Sequence, residues 1–486
     1  MIITVLIRFT TTDSALHQAR HDICIADRRQ HRISKDRARD WTNSQVDAGG
    51  NDKKTADSLS SAESNSPALE HVKRARDAMI EQLRDLNALR SDRVAAVFRT
   101  VDRHAFAPGV LLDEVYAATT AVKTKWDEHG AAVSSISAPQ IQAFMLEQAS
   151  VQPGMRVLEV GSGGVNAAML AELVGESGSV TTMDIDPEIT CRARKFLDTA
   201  GYSRVRVVCG DAEEGIPDGS PFDVVLVTVG CWDIPPAWSE QLIDGGRLVV
   251  PLRMRGITRS LSVQRTGDHL VSDSAEVCGF VKIQGEGAHQ ERMLLLHGDR
   301  IALSFDDDTY PSDPHQLDGV LATDRADTWS GATVGGMEAF DSLPLWLATV
   351  LPGFCLLSVD SDYVPSDGGP VMAVEGGRWF PYAHVYHGDS FAYLASRRVR
   401  PGVFEMGAHG FGPHGYAAAE ALSEQIRTWH NHYRHDPAPE IAIWPQDTPD
   451  DLIHRPETGG RSSATTTAVI DKRHTRISIS WPPPTA

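Results

Sequence analysis

The segment from Arg156 to Leu170 constrains the fold more than any other part of the chain. An apolar strand pattern runs into the glycines Gly161, Gly163 and Gly164, and an alanine-rich helix pattern follows. A second apolar run ends at Asp184, about 20 residues beyond the glycines. Such glycines let the backbone approach a ligand, and an acidic residue at this offset accepts hydrogen bonds from ribose hydroxyls. The pattern predicts a Rossmann-like sheet that holds a nucleoside-containing cofactor.

Two further acidic residues indicate which kind of nucleoside cofactor binds. Glu159 precedes the glycines, and Asp211 follows Gly210 after the third predicted strand, where a carboxylate reaches an adenine amine. Asn166 replaces the last glycine of a dinucleotide site, so a pyrophosphate is poorly served. We therefore predict S-adenosyl-L-methionine as the cofactor. The predicted cofactor-binding residues are Glu159, Gly161, Ser162, Gly163, Gly164, Asp184, Ile185, Asp211, Ala212 and Thr228.

Bulk properties exclude some classes of protein. A length of 486 residues predicts more than one domain. A formal net charge of -19 argues against a general binder of nucleic acids or membrane surfaces. The six cysteines are scattered without a CxxC pair, which indicates neither a zinc site nor a disulfide framework and fits the reducing cytoplasm. No apolar run approaches transmembrane length.

The chain divides by composition and periodicity into five predicted parts. These are a disordered extension (1–65), a helical, substrate-binding segment (66–150), the cofactor-binding domain (151–289), an α+β module (290–455) and a disordered tail (456–486). The cofactor-binding domain alternates strand and helix patterns, so its predicted fold class is α/β, with a mostly parallel, doubly wound sheet. Its predicted strands are 156–160, 179–184, 204–208, 223–228, 246–251, 260–264 and 276–281, and its predicted helices are 165–174, 187–200 and 235–243.

The α+β module shows a different pattern. We predict a small sheet from short strands at 354–359, 372–374, 379–385, 391–395 and 441–444. A strongly amphipathic helix is predicted over 416–433.

A short segment before the first strand carries a family resemblance. It reads Ser135-Ile136-Ser137-Ala138-Pro139, and Val157–Gly163, Gly210-Asp211, Pro235-Pro236 and Gly245–Leu248 follow in order. Over about 70–288 this sequence resembles the protein-L-isoaspartate O-methyltransferase family. The resemblance implies a class I methyltransferase fold, S-adenosylmethionine as methyl donor, and Ser137 as catalytic donor to the substrate carboxylate, with Ser135 as a second hydroxyl. From the residues alone, Ser137 is better explained as a cap or turn serine beside Pro139.

The sequence departs from the family pattern where substrate enters. Val165 replaces the third glycine of the loop, 119–132 lacks a glycine-rich approach, and Cys231-Trp232-Asp233 replaces small apolar residues. With its C-terminal module, the chain looks more like the family variants of lanthipeptide and other ribosomal-peptide clusters (FxLD-system methyltransferases). Those variants are implied to methylate an aspartate of a modified peptide, and the ester then closes to a succinimide.

Two groups of residues have competing interpretations. Trp232 and Asp233 follow the fourth strand, where ligands of open α/β sheets bind, but they also suit a core lid and a helix cap. The histidines His409, His414, His430, His432 and His435 invite a metal site. Because their spacing is wrong for a shared ion, no metal is predicted.

The preferred function is therefore S-adenosylmethionine-dependent methylation of an aspartyl or isoaspartyl carboxylate in a peptide or protein. General isoaspartate repair and a non-catalytic cofactor-binding scaffold remain alternatives. Nucleic-acid base methylation is disfavoured because Val227–Gly230 lacks the Asn/Asp-Pro-Pro-aromatic segment that holds a base nitrogen. Neither a nucleic acid nor a membrane is an expected partner, and the oligomeric state stays open.

Overall fold

The computed structural model describes residues 67–298, 300–307, 309–336, 338–360, 380–435, 438–453 and 466–483. The predicted extension 1–65 and the predicted strand 372–374 lie outside these ranges. Within the ranges, no helix is both long and apolar enough to cross a bilayer.

The secondary structure comprises ten α-helices and nineteen strands in the described ranges. The helices are α1 (Pro67–Asp85), α2 (Asp92–Thr100), α3 (Leu112–Val115), α4 (Pro139–Ala149), α5 (Val165–Val174), α6 (Pro187–Thr199), α7 (Pro236–Glu240), α8 (Ser342–Val350), α9 (Gly415–His432) and α10 (Asp450–Ile453). The strands are β1 (Val122–Trp126), β2 (Ala132–Ile136), β3 (Arg156–Val160), β4 (Ser179–Asp184), β5 (Arg206–Cys209), β6 (Phe222–Val227), β7 (Leu242–Met254), β8 (Ile257–Thr266), β9 (His269–Val277), β10 (Arg292–His297), β11 (Ile301–Phe305), β12 (Ala326–Gly335), β13 (Phe354–Val359), β14 (Tyr382–Tyr386), β15 (Ser390–Arg400), β16 (Val403–Phe411), β17 (Glu440–Pro445), β18 (Thr466–Asp471) and β19 (Thr475–Trp481).

The larger sheet has ten strands in the order β18-β19-β17-β9-β8-β7-β6-β3-β4-β5. Strands β7, β6, β3, β4 and β5 are parallel, and the remaining pairs are antiparallel. The central strands are near-continuous apolar runs because parallel strands are covered on both faces. Val224, Val225, Leu226 and Val227 of β6 are accordingly buried. The predicted α/β, Rossmann-like fold class is confirmed.

The second sheet is antiparallel and has seven strands in the order β10-β11-β13-β14-β15-β16-β12. Helix α9 packs on it through Leu422, Ile426 and Trp429, which are fully buried as the helical periodicity predicts. The sheet has more strands than the sequence analysis predicts. Strands β12 and β16 were missed because they contain many small and polar residues, which weaken their apolar alternation. Val250 of β7 and Trp346 of α8 belong to one hydrophobic core that joins the two sheets.

Three predicted elements differ from the structure. Strand β9 spans His269–Val277, so the strand predicted over 276–281 is wrong beyond Val277. The helix predicted over 235–243 is only five residues long (α7), because β7 already begins at Leu242. The hairpin β1–β2 is absent from the sequence-based prediction, and it lies directly before the segment that contains Ser137.

The predicted disordered tail is wrong for 466–481, which form the hairpin β18–β19. Ile477, Ile479 and Trp481 are fully buried, in the alternation typical of a strand. Strand β17 pairs with both β19 and β9, so the end of the chain returns to the larger sheet. A boundary near residue 290 therefore does not separate two independent sheets along the sequence.

Candidate cofactor and substrate site

The glycine turn between β3 and α5 needs glycine at two positions. Gly161 has a φ of +96°, and a Cβ there would lie 2.5 Å from Thr228 Oγ1. Gly164 has a φ of +86°, and a Cβ there would lie 3.1 Å from the ring of Phe106. Both conformations are unfavourable for other residues, so these glycines are required by the backbone itself.

Asp184 is joined directly to this turn. Its Oδ2 accepts the Ser162 N–H at 3.0 Å, and its Oδ1 accepts the Asp186 N–H at 3.0 Å. Burial raises the pKa of the Asp184 carboxyl. Each carboxylate oxygen retains a second lone pair, so Asp184 can still accept hydrogen bonds from two ribose hydroxyls.

The Ser162 hydroxyl supplies a test of whether a polar ligand fits here. The residue is only 2% exposed, and its Oγ has no hydrogen-bond partner among the described residues. A buried hydroxyl without a partner is costly, and a polar group bound at the glycine turn would relieve that cost. The turn therefore fits a cofactor with polar substituents.

Asp211 and Ile185 lie together at the ends of β5 and β4. Asp211 Oδ1 accepts the Glu213 N–H at 3.0 Å, and Oδ2 accepts the Glu286 N–H at 2.9 Å. Ile185 remains 37% exposed, although it is apolar. A carboxylate beside an exposed apolar side chain suits the amine and the ring face of an adenine.

Three other predicted cofactor-binding residues, Glu159, Thr228 and Ala212, make hydrogen bonds within the protein itself. Glu159 is fully buried, and its carboxylate accepts hydrogen bonds from Asn166 Nδ2 at 2.9 Å and Thr182 Oγ1 at 2.6 Å. Burial raises the pKa of Glu159 to about 7. Thr228 Oγ1 lies 2.9 Å from the Gly161 carbonyl oxygen, and the Ala212 carbonyl accepts from Trp238 Nε1 at 2.7 Å. These groups hold strands and turns together.

Ser137 directly follows β2 and comes one residue after a side chain that packs against the glycine turn. The preceding side chain, Ile136, is buried, and its Cγ1 lies 4.0 Å from the Cβ position of Gly163. Ser137 is half-buried, and its hydroxyl makes no hydrogen bond to any residue in the described ranges. Ser135 lies on β2 opposite Lys123 and is also half-buried. The residue before Ser137 thus packs against the glycine turn, and the Ser137 hydroxyl makes no hydrogen bond within the described ranges.

A buried arginine that sequence reasoning missed fixes the backbone of Ser137. Arg103 is 1% exposed and donates to the carbonyl oxygens of Ser137 at 2.7 Å and Val115 at 2.8 Å, and also to Gln142 Oε1. Burial lowers the pKa of its guanidinium to about 10. The sequence does not single it out, because Arg103 stands between two other polar residues, Asp102 and His104.

Trp232 and Asp233 are held by the C-terminal part of the chain. Trp232 stacks on His289 with ring centroids 3.9 Å apart and donates from Nε1 to Asp307 Oδ1 at 3.0 Å. Asp233 accepts the His474 N–H and the Thr475 hydroxyl, both at 2.6 Å. Trp232 and Asp233 also line a cleft beyond the ends of β5 and β6, together with Glu213, Ile283 and Arg473.

Three of the C-terminal histidines have different contact partners. His409 pairs with Asp327 at 2.7 Å, His414 with Asp389 at 3.1 Å, and His430 contacts Arg434 at 2.8 Å. No group of three metal-ligating side chains occurs in the part of the chain that the structure describes.

The fold and the glycine turn with its two acidic residues define a class I methyltransferase. Residues 74–288 match the sequence model of the family Protein-L-isoaspartate(D-aspartate) O-methyltransferase (PCMT). A protein-L-isoaspartate O-methyltransferase of Methanopyrus kandleri is 38% identical over 222 residues, which cover 45% of this chain and 95% of that relative. A protein-L-isoaspartate O-methyltransferase of Hyperthermus butylicus is 36% identical over 232 residues, which cover 46% of this chain and 93% of that relative. This chain belongs to the protein-L-isoaspartate O-methyltransferase family.

Solved structures are similar as well. A protein-L-isoaspartate O-methyltransferase structure has a TM-score of 0.41 at 26% identity and covers 48% of this chain and 86% of that chain. The structure of a putative protein-L-isoaspartate O-methyltransferase from Plasmodium falciparum, in complex with S-adenosyl-L-homocysteine, has a TM-score of 0.37 at 17% identity. The similarity covers 43% of this chain and 98% of that chain. Membership of the family confirms that the chain is a methyltransferase and that S-adenosyl-L-methionine is its cofactor.

Proposed function

We propose that this enzyme methylates the carboxylate of an aspartyl or isoaspartyl residue in a peptide, and that its natural substrate is a ribosomally made, modified peptide. The observation that carries the first part is the Ser137 hydroxyl, which makes no hydrogen bond to the described residues and directly follows Ile136, the residue that packs against the glycine turn. A hydroxyl there suits the orientation of a carboxylate rather than its deprotonation.

The reaction needs little acid–base chemistry. A carboxylate is ionised at neutral pH and is already a nucleophile. S-adenosyl-L-methionine supplies an electrophilic methyl group on a sulfonium, and the C–S bond breaks as the O–C bond forms, leaving S-adenosyl-L-homocysteine. The protein must align the three atoms and remove water from the carboxylate.

The chain's own residues perform that alignment. Ser137 donates its hydroxyl proton in a hydrogen bond to one carboxylate oxygen and leaves the other free to attack. The Arg103 guanidinium donates to the Ser137 carbonyl oxygen at 2.7 Å, and the buried Ile136 side chain packs against the glycine turn. The serine is thus pre-organised before the substrate arrives.

The second part of the proposal is supported by the wall of the cleft. Trp232 is held by Asp307 and by Lys472, whose Nζ lies 4.5 Å from the indole centroid. Both supporting residues lie beyond 288, where the match to the family model ends. Because these residues add to the wall of the cleft, we expect the site to select one particular peptide rather than to accept any flexible isoaspartyl peptide.

The methyl ester then has a simple fate. The neighbouring backbone nitrogen attacks the ester carbonyl, methanol leaves, and a succinimide forms. Hydrolysis of the succinimide gives aspartate or isoaspartate. None of these steps requires a further residue of the enzyme.

General isoaspartate repair is the second candidate. It is favoured by the breadth of the similarity, since the alignment covers 95% of a relative named protein-L-isoaspartate O-methyltransferase. Repair and tailoring share the same methyl transfer and differ only in substrate.

A comparison of two peptide substrates distinguishes repair from tailoring. The purified enzyme is incubated with labelled S-adenosyl-L-methionine and either a flexible isoaspartyl peptide or a conformationally constrained, cross-linked peptide with an internal aspartate. Tailoring predicts a kcat/KM at least about tenfold higher for the constrained peptide. Equal or higher kcat/KM for the flexible peptide contradicts tailoring and supports repair.

The wall is tested by Trp232→Ala. Loss of this side chain is expected to raise the peptide KM about fivefold or more and to leave the KM for S-adenosyl-L-methionine unchanged. Trp444→Ala is the matched control, because Trp444 also stacks on a histidine, His269, at 4.0 Å but lies on β17. An unchanged peptide KM in Trp232→Ala removes the wall from the proposal.

A further inference from the structure

The tip of the last hairpin, Lys472–His474, is anchored beside the cofactor site. Lys472 Nζ donates to the Arg253 carbonyl oxygen at 2.8 Å and lies 3.3 Å from Asp307 Oδ1. The Lys472 side chain is fully buried, and the His474 N–H donates to Asp233 at 2.6 Å. The position of the tip is therefore fixed from both sides.

Two side chains of the tip reach the segments around Asp211. Arg473 Nη1 donates to the Glu286 carbonyl oxygen at 2.7 Å. His474 Nε2 lies 2.7 Å from Glu213 Oε1. Glu286 and Glu213 are the two residues whose backbone N–H groups donate to the Asp211 carboxylate. The tip thus holds both segments that orient Asp211.

The turn Gly285–Gly287 also lies directly against the predicted adenine site. A Cβ at Gly285 would be 2.2 Å from Asp211 Oδ2 and 2.6 Å from Ile185 Cδ1. No side chain fits between this turn and the two groups. The turn Gly285–Gly287 therefore forms one wall of the predicted adenine site.

We propose that Arg473 and His474 are positioning residues that complete the adenosine end of the cofactor site by holding this wall and the Asp211 carboxylate. The inference rests on the role proposed for Asp211 as a cofactor-binding residue. The tip lies outside 74–288, so the match to the family model does not include it.

The test uses the full-length protein and S-adenosyl-L-homocysteine as the probe in titration calorimetry. Arg473→Ala and His474→Ala are each expected to raise the Kd about five- to tenfold, because each loses one hydrogen bond to a segment that orients Asp211. The KM for S-adenosyl-L-methionine rises in parallel, while kcat at saturating cofactor stays within about twofold. Arg473→Lys restores part of the affinity.

Arg476→Ala is the control, because Arg476 lies in the same hairpin and pairs with Asp471 and Asp450. Its Kd is expected to match that of the wild type. An unchanged Kd in both tip variants overturns the inference, and so does tighter binding, which would mean that the turn obstructs the site. If the wild type binds the probe but methylates no peptide, the proposed function fails while the positioning role stands.

Discussion

The buried guanidinium of Arg103 donates to the main-chain carbonyl of Ser137 at 2.7 Å, which links the helical N-terminal segment to the proposed catalytic serine. Arg103→Ala leaves the Ser137 and Val115 carbonyls without this donor. We expect the free energy of unfolding to fall by about 3 kcal/mol and turnover to fall with it. Urea denaturation measures the change, with the exposed Arg99→Ala as control. A stability equal to that of the wild type contradicts this role.

Ser137 itself is expected to act on turnover alone. Ser137→Ala removes the donor that orients the carboxylate, so kcat should fall about 10- to 100-fold while the Kd for S-adenosyl-L-homocysteine hardly changes. Ser134→Ala is the control, since the Ser134 hydroxyl is bonded to Thr124 at 2.9 Å. Steady-state kinetics with an isoaspartyl peptide decide the matter, and undiminished turnover removes Ser137 from the mechanism.

Asp184 makes cofactor binding dependent on pH. Burial raises the pKa of its carboxyl, so protonation on acidification begins at a higher pH than for an ordinary aspartate. Affinity for S-adenosyl-L-homocysteine should therefore fall as the pH drops through this raised pKa. Asp184→Asn should bind about tenfold more weakly at neutral pH and lose that pH dependence. Calorimetry over a range of pH tests both, and the same pH dependence in Asp184→Asn would exclude this assignment.

Glu159 makes stability dependent on pH. Burial raises its folded-state pKa from 4.5 to about 7, so the protonated form favours folding. Its contribution is complete below the unfolded-state pKa and is lost as the pH rises through about 7, by roughly 1–3 kcal/mol. Glu159→Gln should abolish this part of the pH dependence. Chemical denaturation from acidic to neutral pH measures it, with exposed Glu81→Gln as control, and an unaltered pH profile would refute the explanation.

Local patterns predict the cofactor half of the site. The strand, glycine turn and helix around Gly161 are set by neighbouring residues, and Asp184 follows from a fixed spacing. Asp211 is likewise predicted from its place after the third strand. These features need no knowledge of distant contacts, so they can be predicted from the sequence alone.

The remaining features depend on contacts between distant residues. Arg103 carries no motif, and its role arises from the Ser137 carbonyl, 34 residues away. The hairpin β18–β19 has a Thr/Ser-rich sequence that suggests a loose tail by composition. The alternation of Ile477, Ile479 and Trp481 is the available signal, and burial in the larger sheet determines the outcome. The contacts that Trp232 makes with distant residues are equally beyond local patterns.

The most direct test of the central claim is the chemistry of the transferred methyl group. The enzyme is incubated with S-adenosyl-L-methionine labelled in its methyl group and an isoaspartyl peptide, and the product is treated with mild base. Methylation of a carboxylate predicts an ester, so the label should be released as methanol. A base-stable label on the peptide, or no label on any aspartyl or isoaspartyl peptide, would contradict the account.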